Sequence, residues 1–234
     1  ILNRHGICEF PEVAVANRAL ASRAPRPPPP ANVEPPEGEP SAIRDGRRSK
    51  GGADETEDGL RRMAAVYHNL IESADAQIGR VLDALKAAGH GDDTVVVFTS
   101  DHGEMLGSHR LVRKQHLYEE SAAVPAIVCP PGMTKGAVDA SHLVSGLDMM
   151  PTLLDYAGIE APAPLGGRSL RPLVEGRDVP WRTHLVTEVG ESAPRAGRMV
   201  RTARHKYIAY HSGENREMLF DLATDPGEIG RAHV

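Results

Sequence analysis

Cysteine is scarce. Cys8 and Cys129 are the only 2 in a chain of 234 residues, and they lie far apart. They form neither a CxxC metal knuckle nor a disulfide framework, so cysteine usage leaves the redox compartment open. No apolar run approaches the length of a membrane span. Charge of one sign is also lacking. Lys plus Arg number 27 against 32 for Asp plus Glu, a net charge of -5, which points away from nucleic acid or an anionic membrane as the main partner. No internal repeat is visible. An initiator methionine is missing, because the chain opens Ile1-Leu2-Asn3, so the absence of a signal peptide carries no weight and localisation is not readable. What is present is an ordinary globular balance, 40% hydrophobic and 25% charged, enough for one large core or a core with a small appendage.

The ends suggest an internal piece of a longer protein. The natural N-terminus is expected upstream of Ile1. The final residues, 229–234, read I-G-R-A-H-V, a string that a common short-read sequencing adapter encodes in one frame. They are expected to be an assembly artefact.

Residues 25–40, P-R-P-P-P-P-A-N-V-E-P-P-E-G-E-P, suit neither helix nor central strand and are expected as an extended surface excursion. The polar, Gly-rich stretch 41–54 continues it as a loop. Then Leu60, Met63, Tyr67, Leu70, Ala74, Ile78, Val81 and Leu85 recur at steps of three and four. That spacing predicts an amphipathic helix over 56–88, capped by Thr56 or Asp58 and stopped by Gly89. Gly79 in its middle costs about 1 kcal/mol against Ala, which suggests a close backbone approach there. The β-branched run 94–99 alternates little and suits a strand covered on both faces, as in a parallel sheet. A second strand is expected over 124–129, and a short helix over 149–156, capped by Asp148 and ended by Gly158. Helix, buried strand, loop, buried strand and helix imply an α/β layered architecture. From residue 184 short segments separated by polar turns, 185–188, 198–202, 206–210 and 218–221, predict an antiparallel meander.

Asp101 and His102 follow the apolar run directly, and ligands collect beyond the carboxyl ends of strands in α/β sheets. A carboxylate beside an imidazole can hold a divalent cation. Taken alone, Asp101 can equally cap a turn while His102 bonds to backbone. The wider segment S-D-H-G-E-M-L-G-S-H-R-L-V-R-K-Q-H-L-Y-E-E-S-A-A-V-P resembles the signature of the sulfatase family, in the alkaline-phosphatase-like superfamily. The preceding Y-H-N-L-I-E-S-A-D-A-Q-I-G-R-V-L-D-A-L is similar to the family's helix before that motif. Downstream, L-D-M-M-P-T-L-L-D-Y-A-G-I, G-R-S-L-R-P-L-V, H-K-Y-I and L-F-D-L-A-T-D-P-G-E follow in family order, so the resemblance spans 57–228.

The resemblance implies the second half of an α/β/α sandwich over 1–183, with its Pro-rich excursion at 25–54, followed by a small C-terminal antiparallel sheet subdomain over 184–228. It implies that Asp101 and His102 are two ligands of one Ca2+ ion, with His102 standing where many relatives carry Asn. Lys114 would bind a sulfate oxygen and assist the leaving oxygen. His5, in L-N-R-H-G-I-C-E-F, matches a family histidine that acts as general acid, although Arg4 and Gly6 depart from the surrounding pattern. His109 and His116, on the loop beside Lys114, are expected to be exposed. The family's formylglycine, made from Cys or Ser in a C/S-x-P/A-x-R context, has no counterpart here, and neither do its first two metal-binding aspartates. The implied reading is a sulfuric ester hydrolase acting on a small-molecule or carbohydrate sulfate, with this chain alone inactive and poorly stable. The alternatives are a metal-dependent phosphodiesterase or phosphonate monoester hydrolase of the same superfamily, or a non-catalytic anion-binding homologue. Oligomeric state is not readable.

Long-read sequencing of the locus is expected to show a C/S-x-P/A-x-R element upstream in frame, and a sequence other than I-G-R-A-H-V after Glu228. A gene that starts at Ile1 without that element would favour the non-catalytic reading.

Overall fold

The computed structural model describes residues 28–49, 56–133, 136–162, 164–190 and 196–230. His5 lies outside them, as do both the N-terminal family-like segment and residues 231–234.

The long helix forms where its periodicity predicts it, as α2, after a short helix α1 at Ser41–Ser49. Helix α2 runs over Glu57–Ala87. Thr56 caps it, its hydroxyl accepting from the Gly59 amide at 3.1 Å. Glu57 and Asp58 favour the positive end of the helix, and each also pairs one turn on, with Arg61 at 2.6 Å and Arg62 at 3.3 Å. Gly89, at φ 84°, takes the left-handed turn that ends it. Only the first turns are buried, through Leu60, Ala64, Ala65 and Asn69. The stripe beyond them, Leu70, Ile71, Ile78, Val81 and Leu82, is exposed. Gly79 lies in that open part, with nothing within 4 Å of where a Cβ would sit, so it makes no close approach among the described residues.

The polar stretch after the prolines is partly helical rather than a loop. Helix α1 spans Ser41–Ser49. Its charged sequence offers little helix signal, but Ala42 and Ile43 enter the core, and tertiary burial stabilises a helix this short. Ser41 ties it to a distant turn, its hydroxyl accepting from the Glu214 amide at 3.0 Å. The Pro-rich excursion is likewise seated on the fold rather than extended over the surface. Asn32 and Glu39 are buried. Asn32 Nδ2 donates to the Gly227 carbonyl at 3.0 Å and to Glu120 Oε1 at 2.5 Å. Arg110 grips Glu34 with two nitrogens, at 2.5 and 3.2 Å.

Strands β1, Val96–Thr99, and β2, Ala126–Cys129, pair antiparallel with Val96 opposite Cys129 and Thr99 opposite Ala126. Their antiparallel sense follows from the chain between them, which turns back through a compact loop and the single-turn helix α3, Glu119–Ala122. Neither strand is covered on both faces by described residues, and Phe98 and Ile127 are exposed. Helix α4, Met149–Ala157, ends at Gly158, φ 66°. Its outward Met150 and Leu153 are exposed too. A one-turn helix α5 follows at Arg171–Val174.

The C-terminal meander forms in the expected segments. β3 His184–Val189, β4 Gly197–Thr202, β5 His205–Tyr210 and β6 Glu217–Asp221 lie in sequence order, each antiparallel to the next. Alternation turns Met199, Ile208, Tyr210, Met218 and Phe220 inward, where they meet Met105, Leu111, Leu117 and Tyr118 of the loop between β1 and α3. The main core therefore joins this sheet to that loop.

Asp148 does not cap α4 with its side chain. Its fully buried carboxylate instead accepts two nitrogens of Arg182, at 2.5 and 2.6 Å, and the amides of Ser145 and Arg168, each at 2.8 Å. Burial pushes this carboxyl up, but the Arg182 bonds and the two amides outweigh it and hold it below the ordinary carboxylate range. A carboxylate with a depressed pKa contributes stability that is present above its unfolded value, about 3.9, and is lost as pH falls through its folded value. Arg182→Met in the full-length protein is expected to cost about 3–5 kcal/mol at pH 7, because it strands a buried charge. The gap between variant and wild type should narrow below pH 4, measured by denaturant unfolding at both pH values.

Candidate functional site

The turn after β1 is shaped by its backbone. The Gly103 amide donates to the Ser121 carbonyl at 2.9 Å. A Cβ on Gly103 would lie 2.0 Å from the Glu120 carbonyl oxygen, so only glycine fits between β1 and α3. The residues before it are tied to one another locally. The His102 amide donates to Asp101 Oδ1 at 3.0 Å, and the Ser100 hydroxyl donates to the His102 carbonyl at 2.8 Å.

His102 Nδ1 donates to the Gly103 carbonyl at 2.7 Å, so Nε2 is the ring nitrogen left to meet a ligand. Nε2 lies 3.5 Å from Asp101 Oδ2. Two donors at that separation can share one cation, and an imidazole whose other nitrogen is bonded to a backbone carbonyl is the usual form of a metal-bound histidine. The donor pair thus fits a divalent ion. It also leaves room for further ligands, since Asp101 is exposed and His102 half-exposed. Among the described residues no group of three or more His, Cys, Asp or Glu side chains is placed to hold a metal.

Lys114 is exposed, on a segment between the buried Leu111 and Leu117. Its neighbours Arg113 and Gln115 hold φ of 69° and 75°, and Leu106, His109 and Arg110 are left-handed as well. Among the described residues, five of the 7 non-glycine residues with positive φ thus fall between 106 and 115. Each such residue costs about 1–3 kcal/mol and persists only where its surroundings dictate it. Glu104 is one of those surroundings, its Oε1 accepting from the amides of both Leu106 and Arg113. The Arg113 carbonyl in turn accepts from the Met105 amide at 3.0 Å.

His109 corrects the expectation of an exposed loop histidine. It is fully buried and stacks on Tyr118 with ring centroids 4.0 Å apart. Its amide donates to the Asn32 carbonyl at 2.7 Å, and its Nε2 lies 3.3 Å from Asn32 Nδ2. His116 is half-buried. Behind the loop, Lys206 is buried with its Nζ 2.7 Å from Glu119 Oε1 and 2.8 Å from Glu228 Oε1. Burial pushes the Glu228 carboxyl up to about 7, against the pull of Lys206 and of the Glu119 amide. None of Asn32, Lys206 and Glu228 stood out in the sequence as site residues. The H-K-Y-I and D-P-G-E segments that hold the last two carried the only signal.

The family is shown by comparison with known proteins. The sulfatase family model matches residues 22–159, and a second model, the C-terminal region of N-sulphoglucosamine sulphohydrolase, matches residues 107–233. The chain belongs to the sulfatase family. It is 38% identical over 183 residues to arylsulfatase K of Rattus norvegicus, covering 74% of this chain and 32% of that protein. It is 36% identical over 189 residues to the delta 4,5-hexuronate-2-O-sulfatase of Bacteroides thetaiotaomicron, covering 78% of this chain and 39% of that one. A solved 2-O GAG sulfatase superposes with a TM-score of 0.80 at 30% identity, over 95% of this chain and 52% of that chain. The phosphonate monoester hydrolase of Silicibacter pomeroyi does so with a TM-score of 0.75 at 29% identity, over 88% of this chain and 47% of that chain. The fold is thus a portion of the alkaline-phosphatase-like α/β fold with a small antiparallel sheet. The chain spans about a third of the curated relatives it matches.

Gly103→Ala in the full-length protein is expected to lower stability by about 3 kcal/mol or more, at or beyond the upper range for overpacking, because the obstacle is backbone. Thermal unfolding checks this. A shift comparable to that of Gly79→Ala, where space is open, would contradict the geometry.

Proposed function

We propose that this chain is the C-terminal part of a sulfatase whose full-length form hydrolyses a sulfate ester to an alcohol and sulfate. The observation that carries the proposal is the approach of His102 Nε2 to Asp101 Oδ2, 3.5 Å apart at the end of β1. The conformationally constrained Lys114 loop supports it. Asp101 and His102 would hold one divalent cation, Ca2+ in this reading, contributing one carboxylate and one imidazole. That ion and the formylglycine expected in the upstream part supply charge neutralisation and the nucleophile. Lys114 sits on a loop whose neighbouring residues are held in left-handed conformations. Its role is to bind a sulfate oxygen and stabilise charge on the leaving oxygen. His5 is proposed as the general acid that protonates the leaving alcohol.

The substrate proposed is a carbohydrate sulfate. Support comes from similarity to a hexuronate-2-O-sulfatase and to a 2-O GAG sulfatase. A second reading, phosphonate monoester hydrolysis, is favoured by one observation, the likeness to the Silicibacter pomeroyi enzyme. Both reactions place a tetrahedral anion between a cation and a lysine, and a sulfate monoester and a phosphonate monoester carry the same single negative charge, so turnover on the two ester classes must separate them.

The test is an assay of the full-length protein, expressed with a formylglycine-generating partner, on panels of sulfate esters, phosphate diesters and phosphonate monoesters. Highest kcat/KM is expected on a sulfated sugar, and preference for the phosphorus esters would overturn the proposal. Lys114→Ala should lower kcat/KM by about 10²–10³-fold, the usual cost of removing one group that stabilises transition-state charge.

A further inference from the structure

We propose that Lys206 and Glu228, through Glu119, position the turn that carries Asp101 and His102, so that the C-terminal sheet sets the geometry of the cation pair. The inference rests on the reading of those two residues as cation ligands.

Lys206 points inward from β5 and its side chain has no exposure, nor does Glu228 beyond 1%. An ammonium buried to this extent costs several kcal/mol unless carboxylates meet it at close range. The two that do come from separate segments. Glu228 lies in the turn after β6, and Glu119 is the first residue of α3. The second oxygen of Glu228 accepts from the Glu119 backbone amide at 2.7 Å. Glu119 is thus held twice, by its side chain through Lys206 and by its amide through Glu228.

The next two residues hold the site turn. The Glu120 carbonyl packs against Gly103 where no Cβ fits, and the Ser121 carbonyl accepts from the Gly103 amide. Two consecutive peptide groups therefore connect the ion cluster to the residue after His102.

Buried ion pairs are weak contributors to stability compared with apolar residues of the same size, and their best-attested use is to specify one arrangement. A displacement of α3 by an ångström would break contacts of 2.7 and 2.8 Å that a methionine or leucine would tolerate. Glu228 also sits at φ 53°, a conformation costly for a non-glycine residue, and that conformation brings its carboxylate inward.

The experiment compares amide hydrogen exchange in the full-length protein, free of metal, at pH 8, with that of Lys206→Met and Glu228→Gln. Glu228→Gln keeps an oxygen for the Glu119 amide and serves if Lys206→Met does not fold. Both variants are expected to speed exchange across residues 101–107 by about tenfold or more, with strands β3 to β6 changed less than twofold. They should also weaken calcium binding by about 10-fold, the lower end for residues that orient a ligand. Unchanged exchange at 101–107, or an equal rise throughout the sheet, would overturn the inference and leave the cluster a purely structural one. If the wild-type protein binds no calcium, the cation reading fails, and the exchange comparison still decides whether the cluster positions the turn.

Discussion

The backbone of Gly103 lies against the carbonyls of Glu120 and Ser121, and most of the described structure follows from that contact. It brings the end of β1 onto the start of α3, although 15 residues separate Gly103 from Glu119. Those residues must fold into a compact loop, and their apolar members, Met105, Leu111, Leu117 and Tyr118, need cover. The inward face of the four-stranded sheet supplies it. The loop that carries Lys114 is therefore buried at its ends and strained in its middle. Surrounding structure rather than local preference sets its shape.

The apolar faces divide the molecule in two. The sheet and the loop bury theirs against each other. The outer stripe of α2, the strands β1 and β2, and the outward side of α4 do not find cover among the described residues. Apolar area of this extent, in a segment matching about a third of its relatives' length, marks surfaces that a larger assembly of secondary structure would bury. The uncovered state of β1 also explains why its sequence looks like a central strand while its visible pairing is a two-stranded antiparallel one.

Electrostatics at the site is divided by depth. Asp101, His102 and Lys114 are accessible and able to meet a ligand, whereas Asp148, Lys206 and Glu228 are buried among their counter-charges. The buried groups hold charge without solvent, which demands specific partners and so fixes backbone positions. The accessible ones keep the freedom to exchange water for an anion or a cation. The chain superposes on a sulfatase and on a phosphonate monoester hydrolase alike, so overall likeness alone does not choose between sulfur and phosphorus esters.

Much of this was legible in the residues. The steps of three and four from Leu60 to Leu85, the cap at Thr56 and the stops at Gly89 and Gly158 are local signals, read without knowing what the helices touch. The alternation in β4, β5 and β6 is equally local, and so is the ordered set of motifs around Asp101, His102 and Lys114. What escaped a sequence reading depends on contacts distant along the chain. Helix α1 exists because Ala42 and Ile43 meet the sheet, and the excursion before it is seated because Asn32 reaches Glu120 and Gly227, 195 residues away in the latter case. His109 is buried because Asn32 and Tyr118 enclose it. Asp148 turned from a helix cap into the partner of Arg182, 34 residues on. The sequence by itself determined the periodic elements and the family, because period and motif are properties of neighbours along the chain. Only the tertiary structure decided which charges are buried and what holds the site turn, because a buried ion takes whatever counter-charge the fold delivers to it, from any distance in sequence.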